Sequence, residues 1–177
     1  MFVTLHAITT KNNRENMEQQ KQIQIQFRLT DVQELQFVNL SKQWPEGELQ
    51  VNNQLQFNCD TEKRLVRCVT NFEYKKNDIT QLILGVQTVF EFAREGWSAM
   101  YDLNGDQWIL PVGLVQHIAD MTIGAARGIL AIRTEEAGLP KQILPLINPG
   151  QILQNNISFK RTTQAKGMPI GNSGGNA

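Results

Sequence analysis

The stretch ELQVNNQLQFNCDTEKRLVRCVTNFEY, residues 48–74, decides the fold class of this chain. In its first half, one face is apolar and consists of Leu49, Val51, Leu55, Phe57 and Cys59. Amide and glutamate side chains fill the other face, and alternation of this kind predicts an antiparallel strand with one buried face. The polar turn DTEK then leads into a second alternating run, which predicts that the two strands form a hairpin.

Two more runs alternate in the same way. The first, DVQELQFVNLS (residues 31–41), ends at the break KQWPEG, and the second, ITQLILGVQTVFEF (residues 79–92), follows the turn KKND. The pattern predicts a four-stranded antiparallel meander, preceded by a short extra strand around residues 23–29.

The last of these runs is apolar on both faces. Leu82, Leu84 and Val86 share one face, while Ile83 and Val89 lie on the other. A strand at the end of a meander needs only one buried face, so the second apolar face predicts contact with another chain.

A long amphipathic helix follows, in LPVGLVQHIADMTIGAARGILAIRTEEAG (residues 110–138). Pro111 suits the first helical turn, and Gly138 suits the C-terminal cap. The apolar part of the helix surface is roughly twice as wide as the ~100° stripe that covers a sheet. We therefore expect the sheet to bury one side of this helix and a partner's helix or a ligand to bury the other.

The segment GLPKQILPLINPGQIL (residues 138–153) comes next and is stiff as well as apolar. Its prolines restrict the backbone and reduce the freedom that is lost when the segment becomes ordered. Ile143, Leu144 and Leu146 should then face fixed directions, either as the wall of a binding groove or as packing under a final helix.

Length and charge limit the classes of function. A chain of 177 residues is enough for one domain, which we place at residues 23–159 between a flexible polar leader, residues 1–22, and a disordered tail, residues 160–177. Met17 is a candidate natural start within the leader. The domain has 11 basic and 15 acidic residues, a net charge of −4. This balance argues against nucleic-acid binding, because phosphate contacts need clustered Lys and Arg.

Neither a membrane span nor a signal peptide is recognisable. No apolar run approaches the roughly 20 residues of a transmembrane helix, and the N-terminus lacks a basic region followed by an apolar stretch. We therefore expect a cytoplasmic protein without membrane insertion.

Few residues suggest chemistry. Cys59 and Cys68 are expected to be free thiols rather than a disulfide or a metal site. His117 and Asp120 lie three residues apart on the predicted helix, and we expect a solvated or hydrogen-bonded pair because no nucleophile motif or third metal ligand accompanies them. We therefore predict a protein that is not an enzyme and needs no cofactor. An enzyme or a small-ligand binder acting in the apolar groove is the alternative that the wide helix face leaves open.

Taken in order, several stretches resemble the SecB family of protein-export chaperones. SKQWPEGELQV (residues 41–51) resembles that family's Trp-containing crossover between its first two strands, and LILGVQ (residues 82–87) resembles its fourth strand. AARGILAIRTEEAGLPKQILPLINPGQIL (residues 125–153) resembles the end of the family's long helix, its proline-bracketed segment and the start of its last helix. The resemblance covers about residues 23–157.

The resemblance implies an α+β fold, in which a four-stranded antiparallel sheet is packed by one long helix and a short C-terminal helix. It also implies an ATP-independent chaperone, or holdase, that binds unfolded polypeptides in an apolar groove during protein export. The implied client-contact residues are Trp44, Leu139, Ile143, Leu144 and Leu146. Family members are homo-oligomers, dimers of dimers, which makes Leu82, Leu84 and Val86 candidate contacts between subunits.

Three features depart from the family pattern. Gly85 and Val38 stand where the family has acidic residues, and the C-terminal tail is basic. Since acidic surfaces of the family dock the export motor ATPase SecA, docking to SecA is in doubt for this chain. The alternatives are a dedicated chaperone for one partner, such as the antitoxin of a toxin–antitoxin system, and a binder of a small apolar ligand.

Overall fold

The computed structural model describes residues 3–7 and 23–161. Five strands form the main antiparallel sheet: β1 (Val3–Ala7), β2 (Ile23–Asn39), β3 (Gln50–Asp60), β4 (Leu65–Lys76) and β5 (Ile79–Phe92). Three short strands form a second sheet: β6 (Tyr101–Asp102), β7 (Gln107–Leu110) and β8 (Ile157–Lys160). The helices are α1 (Arg94–Ala99), α2 (Val112–Glu136) and α3 (Pro149–Ile152).

Two hairpins join the strands β3, β4 and β5. The first reverses between Asp60 and Leu65, which pair directly. The second reverses at Asn77 and Asp78, which have φ angles of 50° and 62°, the backbone that a two-residue type I′ turn needs. The predicted alternation is confirmed on β4, whose buried residues are Val66, Cys68, Thr70, Phe72 and Tyr74.

The strand order of the main sheet is β1-β2-β5-β4-β3. The predicted α+β class, with an antiparallel sheet, a long helix and a short helix, is confirmed. The order differs from that of a simple meander, because residues 40–49, here called the crossover segment, carry the chain from β2 to the far edge of the sheet at β3. Strand β5 is therefore a central strand with β2 and β4 as its neighbours, not the end of a meander.

Helix α2 lies across one face of the sheet, mainly over β4 and β5. It begins after Pro111 and ends before Gly138, whose φ is +65°, as predicted from these two residues. Glycine adopts positive φ without strain, which suits it to the end of a helix. At 1.5 Å per residue, the 25 residues of α2 span about 37 Å, enough to cover two separate parts of the core.

The core divides into two clusters, which we name for the half of α2 that each contacts. The N-cluster surrounds the start of α2, and its members include Phe27, Phe90, Phe92, Trp97 and Ile118. The C-cluster surrounds the end of α2, and its buried members are Phe72, Tyr74, Leu82, Leu84, Val86, Ile123, Ala126, Leu130 and Leu144. Between the clusters, the hydroxyl oxygens of Thr88 and Thr122 lie 2.6 Å apart.

Two of the predicted domain boundaries are corrected. Val3–Ala7, which fall in the predicted flexible leader, form β1 and pair with Ile23–Phe27. Lys160, predicted as the first residue of a disordered tail, is the last residue of β8. The rest of the predicted leader, including Met17, and the rest of the predicted tail lie outside the described residues.

The loop expected between β5 and α2 contains short ordered elements. Helix α1 packs closely on β2, since a Cβ added at Gly96 would lie 3.1 Å from the Cα of Ile25. Strand β7 pairs with β6 on one side and with β8 on the other. The second sheet therefore joins the region before α2 to the end of the described chain.

Candidate functional site

Two irregular segments converge on the C-cluster. One is the crossover segment, from which Trp44 and Leu49 pack half-buried against the cluster. The other is residues 139–148, here called the strap, which follow α2 and contribute Leu139 and Ile147 in the same way. Together they pack against the buried sheet residues of the C-cluster, here called the floor, and we call this arrangement the groove.

The structure brings three of the five predicted client-contact residues together. Trp44 and Leu139 pack against the C-cluster, and Leu144 is a member of it with only 2% of its surface exposed. Ile143 is 68% exposed and Leu146 is 95% exposed. The strap thus packs on the cluster through Leu144, with Leu139 and Ile147 half-buried beside it, and presents two apolar side chains to the solvent.

The strap is held by side chains rather than by backbone pairing. Within the described part of the chain, residues 140–147 form no backbone-to-backbone hydrogen bond. The Arg127 guanidinium donates to the carbonyl of Pro145 at 3.4 Å, and the backbone N–H of Gln142 donates to a threonine hydroxyl of α2 at 3.5 Å. Both distances are long for hydrogen bonds, so apolar packing on the C-cluster, in which Leu144 is the most buried strap residue, is the main interaction that holds the strap on the sheet.

Three polar side chains are buried beside this floor without a partner. Both amide atoms of Asn53, the hydroxyl of Thr70 and the hydroxyl of Tyr74 are shielded from solvent and have no hydrogen bond within the described residues. Burial also raises the pKa of Tyr74, which keeps its hydroxyl protonated. Sequence reasoning missed these residues, although Asn53 interrupts the otherwise apolar inner face of β3.

The residues that were predicted to contact another subunit lie in the interior. Leu82, Leu84 and Val86 are fully buried in the C-cluster beneath α2, so the prediction of an assembly contact is wrong for these side chains. Because β5 is central, β2 and β4 flank it on both sides, and on its outer face Val89 is 9% exposed and Ile83 is half-buried. This position explains why Ile83 and Val89 can be apolar without a partner chain.

Helix α2 has more apolar surface than the sheet covers, and the remainder is exposed on the side of the helix that the sheet does not contact. The sheet covers one side of the helix, as predicted, while Ile132 on the opposite side is 58% exposed. Within the described residues, no atom lies within 4 Å of a Cβ added at Gly128. On β2, two exposed apolar residues share the helix side, because their cross-strand partners Phe90 and Thr88 are buried there. We call the whole surface the open flank, and it consists of Met121, Ala125, Gly128, Ile132, Leu29 and Val32.

The other candidate chemical groups do not form a site. His117 is half-buried with its ring edge-on to Phe27, at 6.0 Å between ring centroids, whereas Asp120 is exposed. Cys59 and Cys68 are free thiols, as predicted. Burial is the main cause that raises their pKa, to about 12 for Cys59 and about 11 for Cys68, so both stay protonated and unreactive near neutral pH.

The described residues contain no group of three potential metal ligands. No helix in the same ranges has the length and apolar character needed to cross a bilayer.

The outer face of the sheet, which points away from α2, is polar. It holds a shallow cavity of about 160 Å³, which is smaller than the roughly 300–1,000 Å³ of typical small-ligand sites. Gly85 lies on this face against Asn71, since a Cβ added there would be 2.8 Å from the Asn71 amide oxygen. The outward residues of β3 are Gln50, Asn52, Gln54, Gln56 and Asn58. This face is therefore rich in neutral amides.

Comparisons with known proteins give similar structures but no family. No protein-family model matches the chain, and no curated protein matches it. The chain is similar to the Mycobacterium tuberculosis Rv1957 SecB-like chaperone in complex with a ChAD peptide from the Rv1956 HigA1 antitoxin, with 12% identity, a TM-score of 0.46, and coverage of 68% of this chain and 90% of that one. It is also similar to a protein of unknown function from Streptococcus agalactiae, with 12% identity, a TM-score of 0.33, and coverage of 69% and 98%. Likenesses of this size carry no argument about function, which is therefore argued from the residues.

Proposed function

We propose that this protein is a SecB-like holdase that binds unfolded polypeptides in the groove without ATP. The observation that carries the proposal is the convergence of Trp44, Leu139 and Leu144 on one apolar floor. Ile143 and Leu146 stand exposed beside it. The resemblance of the sequence to the SecB family assigns client contact to these same five residues, which supports the proposal independently of the packing.

A groove of this kind selects unfolded chains by what they expose. An unfolded chain presents apolar side chains and free backbone groups, whereas a folded protein has buried both. Strand β3 adds an open edge for backbone pairing, because in the described sheet it pairs only with β4. Apolar burial on the floor and pairing at this edge both favour non-native clients, and neither requires a nucleotide or a metal.

Light scattering of an aggregation-prone test protein tests the proposal. We expect the wild-type protein to suppress scattering without ATP, and the double variant Ile143→Asp/Leu146→Asp to lose most of this suppression. Leu103→Asp is the matched control, because Leu103 is 84% exposed and lies in the turn between β6 and β7, whose sheet packs on the N-cluster. No suppression by the wild-type protein, or equal losses in both variants, would contradict the proposal.

We also propose that the protein is a homo-oligomer that assembles through the open flank. The flank is an exposed apolar surface, and such surfaces mark sites of contact. Next to it, β1 pairs only with the Ile23–Phe27 part of β2, so the outer edge of residues 29–39 has no partner in the described sheet. A second copy would cover the flank and pair with this edge, and the resemblance implies a dimer of dimers.

Mass measurement in solution tests the assembly. Ile132→Asp places a charge on the open flank without disturbing the core and should lower the mass measured by sedimentation. Leu103→Asp should leave the mass unchanged. A monomeric wild-type protein would refute the assembly proposal.

Two cellular roles follow, both in the cytoplasm. The resemblance implies protein export, which depends on docking to SecA. The outer face carries Gly85 where the family has an acidic residue, and the outward residues of β3 are neutral amides. This chemistry favours a dedicated chaperone of one partner, such as an antitoxin, as the second candidate. A pull-down from the native cell separates the two roles, since many unrelated precursors would support export and one stoichiometric partner would support the dedicated chaperone.

A further inference from the structure

We propose that Asn53, Thr70 and Tyr74 form a polar subsite in the floor of the groove, and that this subsite hydrogen-bonds the backbone of a bound polypeptide. The inference rests on the proposed function. It adds a contact that recognises the peptide unit, which all clients share, rather than any particular side chain.

Other buried hydroxyls of the protein have hydrogen-bond partners, unlike those of Thr70 and Tyr74. Thr88 and Thr122 bond each other at 2.6 Å, and Thr134 donates to a helix carbonyl at 2.9 Å. Thr70 and Tyr74 are equally buried, at 0% and 2% exposed, yet they have no partner in the described chain. Buried polar groups in folded proteins nearly always have one, because an unpaired group has lost its water without compensation. Several unpaired groups in one place therefore indicate that a partner is missing.

The three polar side chains lie around one residue, Phe72. Asn53 is directly opposite Phe72, and Thr70 and Tyr74 lie two residues before and after Phe72 on β4. Diagonal neighbours on a sheet face are about 7–8 Å apart, close enough for one ligand segment to reach both. Phe72 belongs to the C-cluster, so the subsite lies at the floor of the groove, against which both the crossover segment and the strap pack.

The hydrogen-bonding groups of these three side chains match those of a peptide unit. The carboxamide of Asn53 offers one acceptor and two donors, which is the complement of a peptide unit with its C=O and N–H. The hydroxyls of Thr70 and Tyr74 can each donate or accept. The set carries no charge, and a charged ligand group would be buried without a counter-charge, which is strongly unfavourable. A neutral peptide unit is therefore the ligand that this set fits.

The strap is the part of the surroundings that can move. Leu144 is buried in the same cluster as Phe72 and Tyr74. Because residues 140–147 form no backbone-to-backbone hydrogen bond in the described chain, lifting the strap breaks only side-chain contacts and two long hydrogen bonds. A client that displaces Leu144 replaces its apolar contacts and reaches the floor.

The test measures the affinity of fluorescein-labelled fragments of reduced, carboxymethylated α-lactalbumin, which are first screened for binding to the wild-type protein. Asn53→Leu removes the amide at similar volume and should bind the selected fragment about tenfold more weakly, as expected for one or two lost hydrogen bonds. Asn52→Leu is the matched control, because it makes the same substitution at the neighbouring residue of β3, whose side chain is exposed on the outer face of the sheet, and should leave the affinity unchanged.

Backbone N-methylation of the fragment, one position at a time, identifies the group that is recognised. We expect at least one position at which methylation weakens binding to the wild-type protein but not to Asn53→Leu. If the variant binds as tightly as the wild-type protein, or shows the same methylation profile, the inference is overturned and the proposed function stands. If the wild-type protein binds no fragment, the proposed function fails and the inference fails with it. Should Asn53→Leu not fold by circular dichroism, Thr70→Val and Tyr74→Phe replace it under the same criteria.

Discussion

Leu144 should behave as a detachable anchor, and Leu144→Ala tests this. In a rigid core, Leu→Ala lowers the free energy of unfolding by about 2–5 kcal/mol, and the upper part of that range comes from the cavity left behind. Leu144 is 2% exposed, so the full loss of apolar burial applies. Residues 140–147 of the strap have no backbone-to-backbone hydrogen bond in the described chain to hold them over a cavity, so they should detach instead. We therefore expect a loss of about 2 kcal/mol, at the low end of the range.

Urea unfolding and limited proteolysis measure the two parts of this prediction. Ile143→Ala is the control, because Ile143 is 68% exposed and its truncation should change the free energy of unfolding by less than about 0.5 kcal/mol. Trypsin should cleave after Lys141 faster in Leu144→Ala than in the wild-type protein, since a detached strap is accessible. A loss of about 4–5 kcal/mol with unchanged cleavage would show that the strap is a rigid part of the core, and would refute the reasoning.

Three further predictions follow from the packing. Thr88→Val and Thr122→Val should each lower the free energy of unfolding by about 1–2 kcal/mol. Because the two hydroxyls are 2.6 Å apart, a double-mutant cycle measured by urea unfolding should show a coupling energy of about 1 kcal/mol rather than additivity. Burial raises the pKa of Cys68 from 9.0 to about 11, so the folded state keeps a proton that the unfolded state loses. Stability should therefore be complete below about pH 9 and fall towards pH 11, and Cys68→Ala should flatten that fall in urea melts at several pH values; an unchanged slope would assign it to other groups. Gly96→Ala should destabilise the protein by about 1–3 kcal/mol, because the new Cβ would lie 3.1 Å from the backbone of β2. Gly128→Ala should instead stabilise it by up to about 1 kcal/mol. Thermal melts measure both, and similar effects at the two sites would contradict the packing.

Local alternation was enough to predict most strands, but not their order. The runs that became β3 and β4 alternate strictly, and this period is a property of each segment alone. The pairing of β2 with β5 depends on where the crossover segment takes the chain, and β2 would alternate in the same way beside any neighbour. For the same reason, the sequence does not say which apolar face of β5 meets α2. The resemblance to the SecB family assigns Leu82, Leu84 and Val86 to a subunit contact, and nothing in the sequence of β5 alone shows that this face is the buried one.

The groove was predictable where composition is unusual. Prolines and apolar residues marked the strap, and the tryptophan beside a Pro-Glu pair marked the crossover segment. The orientation within the strap was not predictable, because Leu144 points inward and Leu146 outward as a result of packing on the C-cluster. The lack of partners at Asn53 is likewise a property of the folded chain, since any polar residue in a strand finds or misses its partner only when neighbouring strands assemble.

The hydrogen bond between Thr88 and Thr122 also sets the position of α2 along the sheet. Apolar contacts have no preferred direction, so the apolar surfaces of α2 and the sheet alone would allow the helix to slide along the sheet. A slip of one helical turn would carry Thr122 about 5.4 Å along the axis and remove the short hydrogen bond of Thr88. The strap starts at the end of α2, while the floor belongs to the sheet. The hydrogen bond between these two buried hydroxyls therefore holds α2 at one position on the sheet, and this position fixes the distance between the strap and the floor of the groove.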